Sequence, residues 1–143
     1  MDWLDTLMQW LHLAGAVTAI GGLIYARLVV APCLAGLAPE ARSKLGGELV
    51  ARARPISFAV IGVLLVTGLF NLLTHLTGHS RAYHIALGIK LLLALHVFSV
   101  FFLLAVPPGV NPGRDARRPR LMLGAAISGL IILFLSAYMR RNY

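Results

Sequence analysis

The chain has 143 residues, of which 59% are hydrophobic and 13% charged. A soluble domain carries roughly 25% charged residues, so this composition excludes an ordinary soluble fold and bounds the chain to one compact membrane domain. The formal net charge of +8 does not indicate nucleic acid, because the basic residues cluster in loops between apolar segments.

The first apolar stretch, residues 6–26, runs 21 residues without a charge. It lacks a basic start and is too long for the core of a signal peptide, so it reads as a membrane span. About 20 residues are needed to cross a bilayer core of roughly 30 Å as a helix. With its flanks this span is expected over residues 3–30, ended by Pro32 and the stretch around Gly36. Residues 39–54 mix charges with Leu45, Leu49 and Val50 and predict a short surface helix, weakened by Gly46-Gly47. Pro55 stands where a first-turn proline opens the second span, residues 56–76. A short turn, Thr77-Gly78-His79-Ser80, leads to the third span, residues 83–106, which holds one charge, Lys90. Pro107-Pro108-Gly109 ends it, Pro112-Gly113 extends the loop, and Pro119 opens the fourth span, residues 120–139. The expected fold is therefore all-α, a single integral membrane bundle of four transmembrane helices. Helices are expected because lipid offers the backbone no hydrogen-bond partner.

Lysine and arginine are unequally divided. Arg27, Arg42, Lys44, Arg52, Arg54, Arg114, Arg117, Arg118 and Arg120 flank one side, and Arg81, Arg140 and Arg141 the other. The positive-inside rule puts the first side in the cytoplasm and both termini on the outer, periplasmic side of a bacterial-type inner membrane. Trp3, Trp10, Tyr83 and Tyr138 then mark the outer interface and Tyr25 the inner one.

The polar residues of the spans gather toward the outer side. At ~1.5 Å rise per residue, His12 lies roughly 13 Å below Trp3, Lys90 roughly 10 Å below Tyr83, and His96 about 9 Å deeper still. Asn71 lies near the outer end of the second span. His75, His79 and His84 crowd the outer ends of spans two and three. No Asp or Glu lies within the apolar stretches of the four spans, so Lys90 either snorkels outward to Asp2 or Asp5, stays neutral, or pairs with a ligand anion such as a porphyrin propionate. His12 heads a stripe of small residues, Gly15, Ala19, Gly22 and Ala26. Such a stripe allows close helix packing and equally leaves room for a flat macrocycle. His12 and His96 on facing helices fit axial ligation of haem iron, for which neutral imidazole is a usual ligand. No covalent attachment motif is present. Copper is the alternative chemistry. Met8 and His12 lie four apart on one face, a thioether and an imidazole suited to Cu(I), and His75, His79 and His84 offer an uptake point. Cys33 lies on the opposite side and reads as a bystander, and Gly21-Gly22 reads as a packing feature.

Three stretches carry a family likeness. They are W-L-H-L-A-G-A-V-T-A-I-G-G from Trp10, P-I-S-F-A-V-I-G-V-L-L-V-T-G-L-F-N from Pro55 with Thr67-Gly68, and L-G-I-K-L-L-L-A-L-H from Leu87 to His96. Together they resemble the CopD family of copper-resistance membrane proteins and the related HemJ-type protoporphyrinogen IX oxidases. The resemblance implies a four-helix unit with a membrane histidine, His12, and a helix-three lysine, Lys90. It implies bound haem b and porphyrinogen oxidation for the second group, and copper handling for the first. The expected function is a haem b redox protein of the inner membrane, with His12 and His96 as axial ligands and Lys90 and Asn71 near the cofactor. Haem-dependent oxidoreductase activity is one form of it. A copper-binding or copper-transport protein is the alternative, and a non-catalytic partner subunit a third. The expected partners are the lipid bilayer, a redox partner or a donor of porphyrin or copper, and further copies of the chain in a homo-oligomer.

Overall fold

The computed structural model describes residues 3–74 and 80–142. Among the described residues the fold is all helical, without strands. Helix α1 spans Trp3–Tyr25, passes through a π-helical turn at Ala26–Val30, and continues as α2, Ala31–Ala35. Helix α3 covers Pro39–Thr74, α4 Arg81–Leu104 and α5 Pro112–Asn142. The four rods Trp3–Ala35, Pro39–Thr74, Arg81–Leu104 and Pro112–Arg141 are each long and apolar enough to cross a membrane. Their outer faces match lipid better than water. Leu28, Leu73, Leu92 and Phe134 are each about two-thirds exposed, far more apolar surface than a soluble monomer shows. Trp3, Trp10, Tyr25 and Tyr138 are exposed too, as interfacial aromatics would be.

Three boundaries differ from expectation, each at a proline. Pro32 does not end the first rod. The π turn ahead of it, where the Ala31 N–H reaches back to the Ala26 carbonyl, absorbs the missing donor, and the helix stops at Gly36. Arg42 caps that end, donating to the carbonyls of Leu34, Ala35 and Leu37 at 3.0, 2.7 and 3.1 Å. Residues 39–54 are not a separate surface helix but the first half of α3, with Pro55 inside it. Residues 51–56 are all exposed, so the carbonyl freed by Pro55 faces outward. Gly46 is buried, and a Cβ there would sit 3.3 Å from Pro108. It is a contact point with the loop after α4 rather than a weak spot. Helix α5 starts at Pro112, seven residues before Pro119. Asn111 caps it through its side chain, which accepts from Arg114 N–H at 3.1 Å. The loop before it turns at Gly109, whose φ of 93° suits glycine.

The rods alternate in direction. Arg54, just before Pro55 in the middle of α3, donates to the Ala105 carbonyl after α4 at 3.0 Å, and Arg118 near the start of α5 donates to the carbonyls of Leu104 and Val106. One end of the bundle is thus arginine-rich. Helix α1 packs mainly on α3 and also on α5, α5 packs on α4, while α3 and α4 barely meet. The row α3–α1–α5–α4 is therefore least closed where its two ends face each other. Phe58 and Phe102 bridge that side with ring centroids 5.6 Å apart.

The core is Leu23, Val97, Val100, Ala125 and Ala126, in the half toward the arginine-rich end. Small residues bring α1 and α5 together. A Cβ on Gly129 would fall 2.6 Å from Ile20 Cγ1. Of the stripe headed by His12, Gly15 and Ala19 are buried, but Gly22 is exposed, and Gly21 and Gly22 have nothing near the Cβ position. That glycine pair is not a packing feature within the chain. Because β-branched Ile20 cannot easily withdraw, Gly129→Ala is expected to destabilise the bundle by about 1–3 kcal/mol, read as an earlier transition in SDS-induced unfolding. Adding Ile20→Ala should recover much of the loss. A Gly129→Ala protein as stable as the parent would show that the helices separate freely here.

Candidate functional site

His12 lies on the inward face of α1, one turn from half-buried Met8. Its ring packs over α3, where a Cβ on Gly68 would lie 3.4 Å from His12 Cε1. The His12 ring thus rests against α3 at ordinary van der Waals distance from position 68. His12 Nδ1 is 2.8 Å from Thr67 Oγ1. Thr67 is 2% exposed, so its hydroxyl must find partners inside the protein. Its one hydrogen is directed to the Val63 carbonyl at 2.6 Å. The hydroxyl oxygen is left as an acceptor, so His12 Nδ1 carries a hydrogen and donates it. Nε2 of the neutral ring then holds a free lone pair.

Lys90 shares the inward side of α4 and lies within electrostatic range of His12. It makes no ion pair among the described residues, Asp5 included. Asp2 lies outside the described residues. Asn71 is half-buried and one turn beyond Thr67 on the same face of α3. The structure thus gathers His12, Thr67 and Gly68, with Met8 and Asn71 one turn away along their helices and Lys90 within electrostatic range.

His96 does not join them. It is exposed on a different face of α4 from Lys90, and its ring lies over α5, with Nε2 3.6 Å from where a Cβ on Gly124 would be. The imidazoles of His12 and His96 face different helices. His84 is exposed and donates from Nδ1 to the Ser80 carbonyl at 2.9 Å, and its ring meets Tyr83 edge-on. His75 and His79 lie outside the described residues. No group of three or more His, Cys, Asp or Glu capable of holding a metal occurs among the described residues. Cys33 is exposed and lines an apolar cleft with Tyr25, Leu34 and Leu49, away from His12. A second cleft, between α4 and α5, is lined by His96, Arg117, Arg120, Leu121 and Gly124.

Two features escaped sequence reasoning. Thr67 gives little signal, because a threonine in an apolar helix ordinarily satisfies itself on the carbonyl one turn back. The placing of His96 in a cleft with Arg117 and Arg120, away from Lys90, was legible in part, since six residues separate it from Lys90, about 240° around a helix. Comparison with protein-family models, curated proteins and solved structures gives no match to this chain.

The relay from His12 through Thr67 to Val63 fixes one tautomer. Nitrogen-15 spectra of histidine-labelled protein should show His12 protonated at Nδ1 in the parent and in Thr67→Ser. Thr67→Val, which keeps the shape and removes the acceptor, should shift the ring toward the other tautomer. An unchanged His12 signal in Thr67→Val would mean that the hydroxyl does not set the proton's position.

Proposed function

We propose that this chain is a membrane redox protein that carries haem b on His12. The observation that carries this reading is the bond between His12 Nδ1 and Thr67 Oγ1. Ligating histidines almost always donate their other ring N–H to an acceptor, which fixes tautomer and orientation, and Thr67 supplies that acceptor deep in apolar surroundings.

The residues present fit the group. His12 Nε2 would offer a donor to the iron, and Lys90, without an ion pair among the described residues, would offer a cation to a propionate. His12 alone is the proposed iron-holding histidine, because His96 faces α5. The side between α3 and α4 is the least closed of the bundle. When bound, haem supplies a one-electron Fe(III)/Fe(II) couple. The chain's part is to orient the imidazole through Thr67, to hold the acid groups near Lys90, and to keep water out by apolar packing. The likeness of the first three spans to CopD and HemJ-type proteins favours the same chemistry. By the positive-inside rule we place the arginine-rich end in the cytoplasm of a bacterial-type cell and the His12 half toward the periplasm.

A second reading rests on Met8, one turn from His12 on the same inward face. Thioether and imidazole together suit Cu(I). The third keeps the polar residues as helix-to-helix contacts in a partner subunit.

Absorption spectra of the purified chain separate these. Haem carriage predicts a Soret band that is lost in His12→Ala and retained in His96→Ala. Thr67→Val should weaken haem retention by about tenfold or more, the usual effect of losing an outer-shell partner, and Lys90→Gln should also weaken it. A colourless protein that binds Cu(I) through Met8 and His12 supports the copper reading instead. A colourless protein indifferent to copper leaves the subunit.

A further inference from the structure

We propose that the cleft between α4 and α5 at the arginine-rich end binds the headgroup of an anionic glycerophospholipid drawn from the surrounding leaflet. The site is independent of whatever His12 carries. It encloses about 310 Å³ and is lined by His96, Arg117, Arg120, Leu121 and Gly124.

The arginines of α5 divide into two kinds. Arg118 is engaged: it stands 3.5 Å from Asp115 and donates to the carbonyls of Leu104 and Val106. Asp115 is engaged as well, accepting from the Gly109 N–H at 2.6 Å. Arg117 and Arg120 are exposed and make no ion pair among the described residues. They are three residues apart, so they share a face of the helix. Two guanidinium groups held together without an acid repel each other unless an anion lies between them, and the planar fork of arginine matches phosphate oxygens.

Depth selects the kind of phosphate. Leu121 begins the uncharged run of α5, so Arg117 and Arg120 stand at the border where lipid phosphates lie. Gly124 is one turn deeper than Arg120, about 6 Å along the axis, and the His96 ring lies against α5 at that level. An imidazole at that level can donate to an ester carbonyl below the phosphate. Beyond it, exposed Leu92 and Leu95 of α4 give an acyl chain an apolar path. A phosphodiester, an ester and a hydrocarbon tail thus each meet matching chemistry in sequence along the cleft, whereas a free phosphate would use the arginines alone. With two cations and no free acid, the site also disfavours a headgroup carrying its own cation. Basic pockets between membrane helices are a recurring form of anionic-lipid recognition.

Native mass spectrometry of the full chain in detergent tests this, with phosphatidylglycerol and phosphatidylcholine of identical acyl chains as probes. Phosphatidylglycerol should be retained roughly thirtyfold better, the effect expected of two arginines. Arg117→Gln/Arg120→Gln should lower it to the phosphatidylcholine level, while Arg140→Gln/Arg141→Gln at the other end should not. Unfolding transitions of both variants should match the parent, since all four side chains are exposed. Equal retention of the two lipids, adducts that survive Arg117→Gln/Arg120→Gln, or adducts that millimolar inorganic phosphate removes would each overturn the assignment, the last in favour of a soluble anion.

Discussion

Within a bilayer core no water is available to a stray backbone carbonyl, and each unsatisfied group costs several kcal/mol. That constraint governs how this chain handles its prolines. None of the three that lie inside a rod falls within the apolar heart of a span. Pro32 sits after a widened π turn near the arginine-rich end of the first rod. Pro55 and Pro119 sit where a charged stretch gives way to an apolar one. At those borders a freed carbonyl can turn to water or headgroups. The helices therefore run on through prolines that would break a soluble helix at a cost of about 3 kcal/mol, and they reach lengths well beyond a bare membrane crossing.

The same constraint sorts the side chains. Helix contact in lipid depends on close packing and on hydrogen bonds between helices, not on removing apolar surface from water. One half of the bundle uses packing: Ala125, Ala126 and Gly129 of α5 admit Ile20 and Leu23 of α1. The other half uses polarity: the hydroxyl of Thr67 joins α3 to α1 through His12. This polar contact both fastens the helices and leaves one imidazole nitrogen uncommitted. Structure and candidate chemistry draw on the same bond.

Much of the architecture is legible in the sequence, because length and apolarity alone define a membrane span. Four uncharged or nearly uncharged stretches give the four rods and their alternation. The boundaries are less legible, since a proline signals a helix end in water but not where a π turn or an exposed border can absorb it. Glycines mislead in both directions. Gly46 looks like a helix breaker and is a buried contact with Pro108, while Gly21 and Gly22 look like a packing seam and face outward. Depth along a helix follows from counting residues, so the heights of His12, Lys90 and His96 are readable. Facing is harder, because it depends on which helices become neighbours. The sequence order suggests that the third span lies beside the second, yet α4 leans on α5 and leaves α3 almost untouched. His96 is turned toward α5 for that reason.

The charge asymmetry between the two ends of the bundle also has a structural origin. The rods that end at the arginine-rich side, α2 and α4, present their last carbonyls there, the negative ends of their helix dipoles. Arg42 takes the carbonyls of Leu34, Ala35 and Leu37. Arg54 takes that of Ala105, and Arg118 those of Leu104 and Val106. Three of the basic residues on that side are thus helix caps contributed by a neighbouring segment: Arg42 and Arg118 fasten the end of one rod to the start of the next, and Arg54 ties the end of α4 to the middle of α3. Topology sets their place, because every second connection closes a helix C-terminus at this end. Removing them subtracts a structural share from the positive charge. What remains, with Arg117 and Arg120 foremost, has no ion pair among the described residues to answer it, and its natural counterpart is an anion outside the protein.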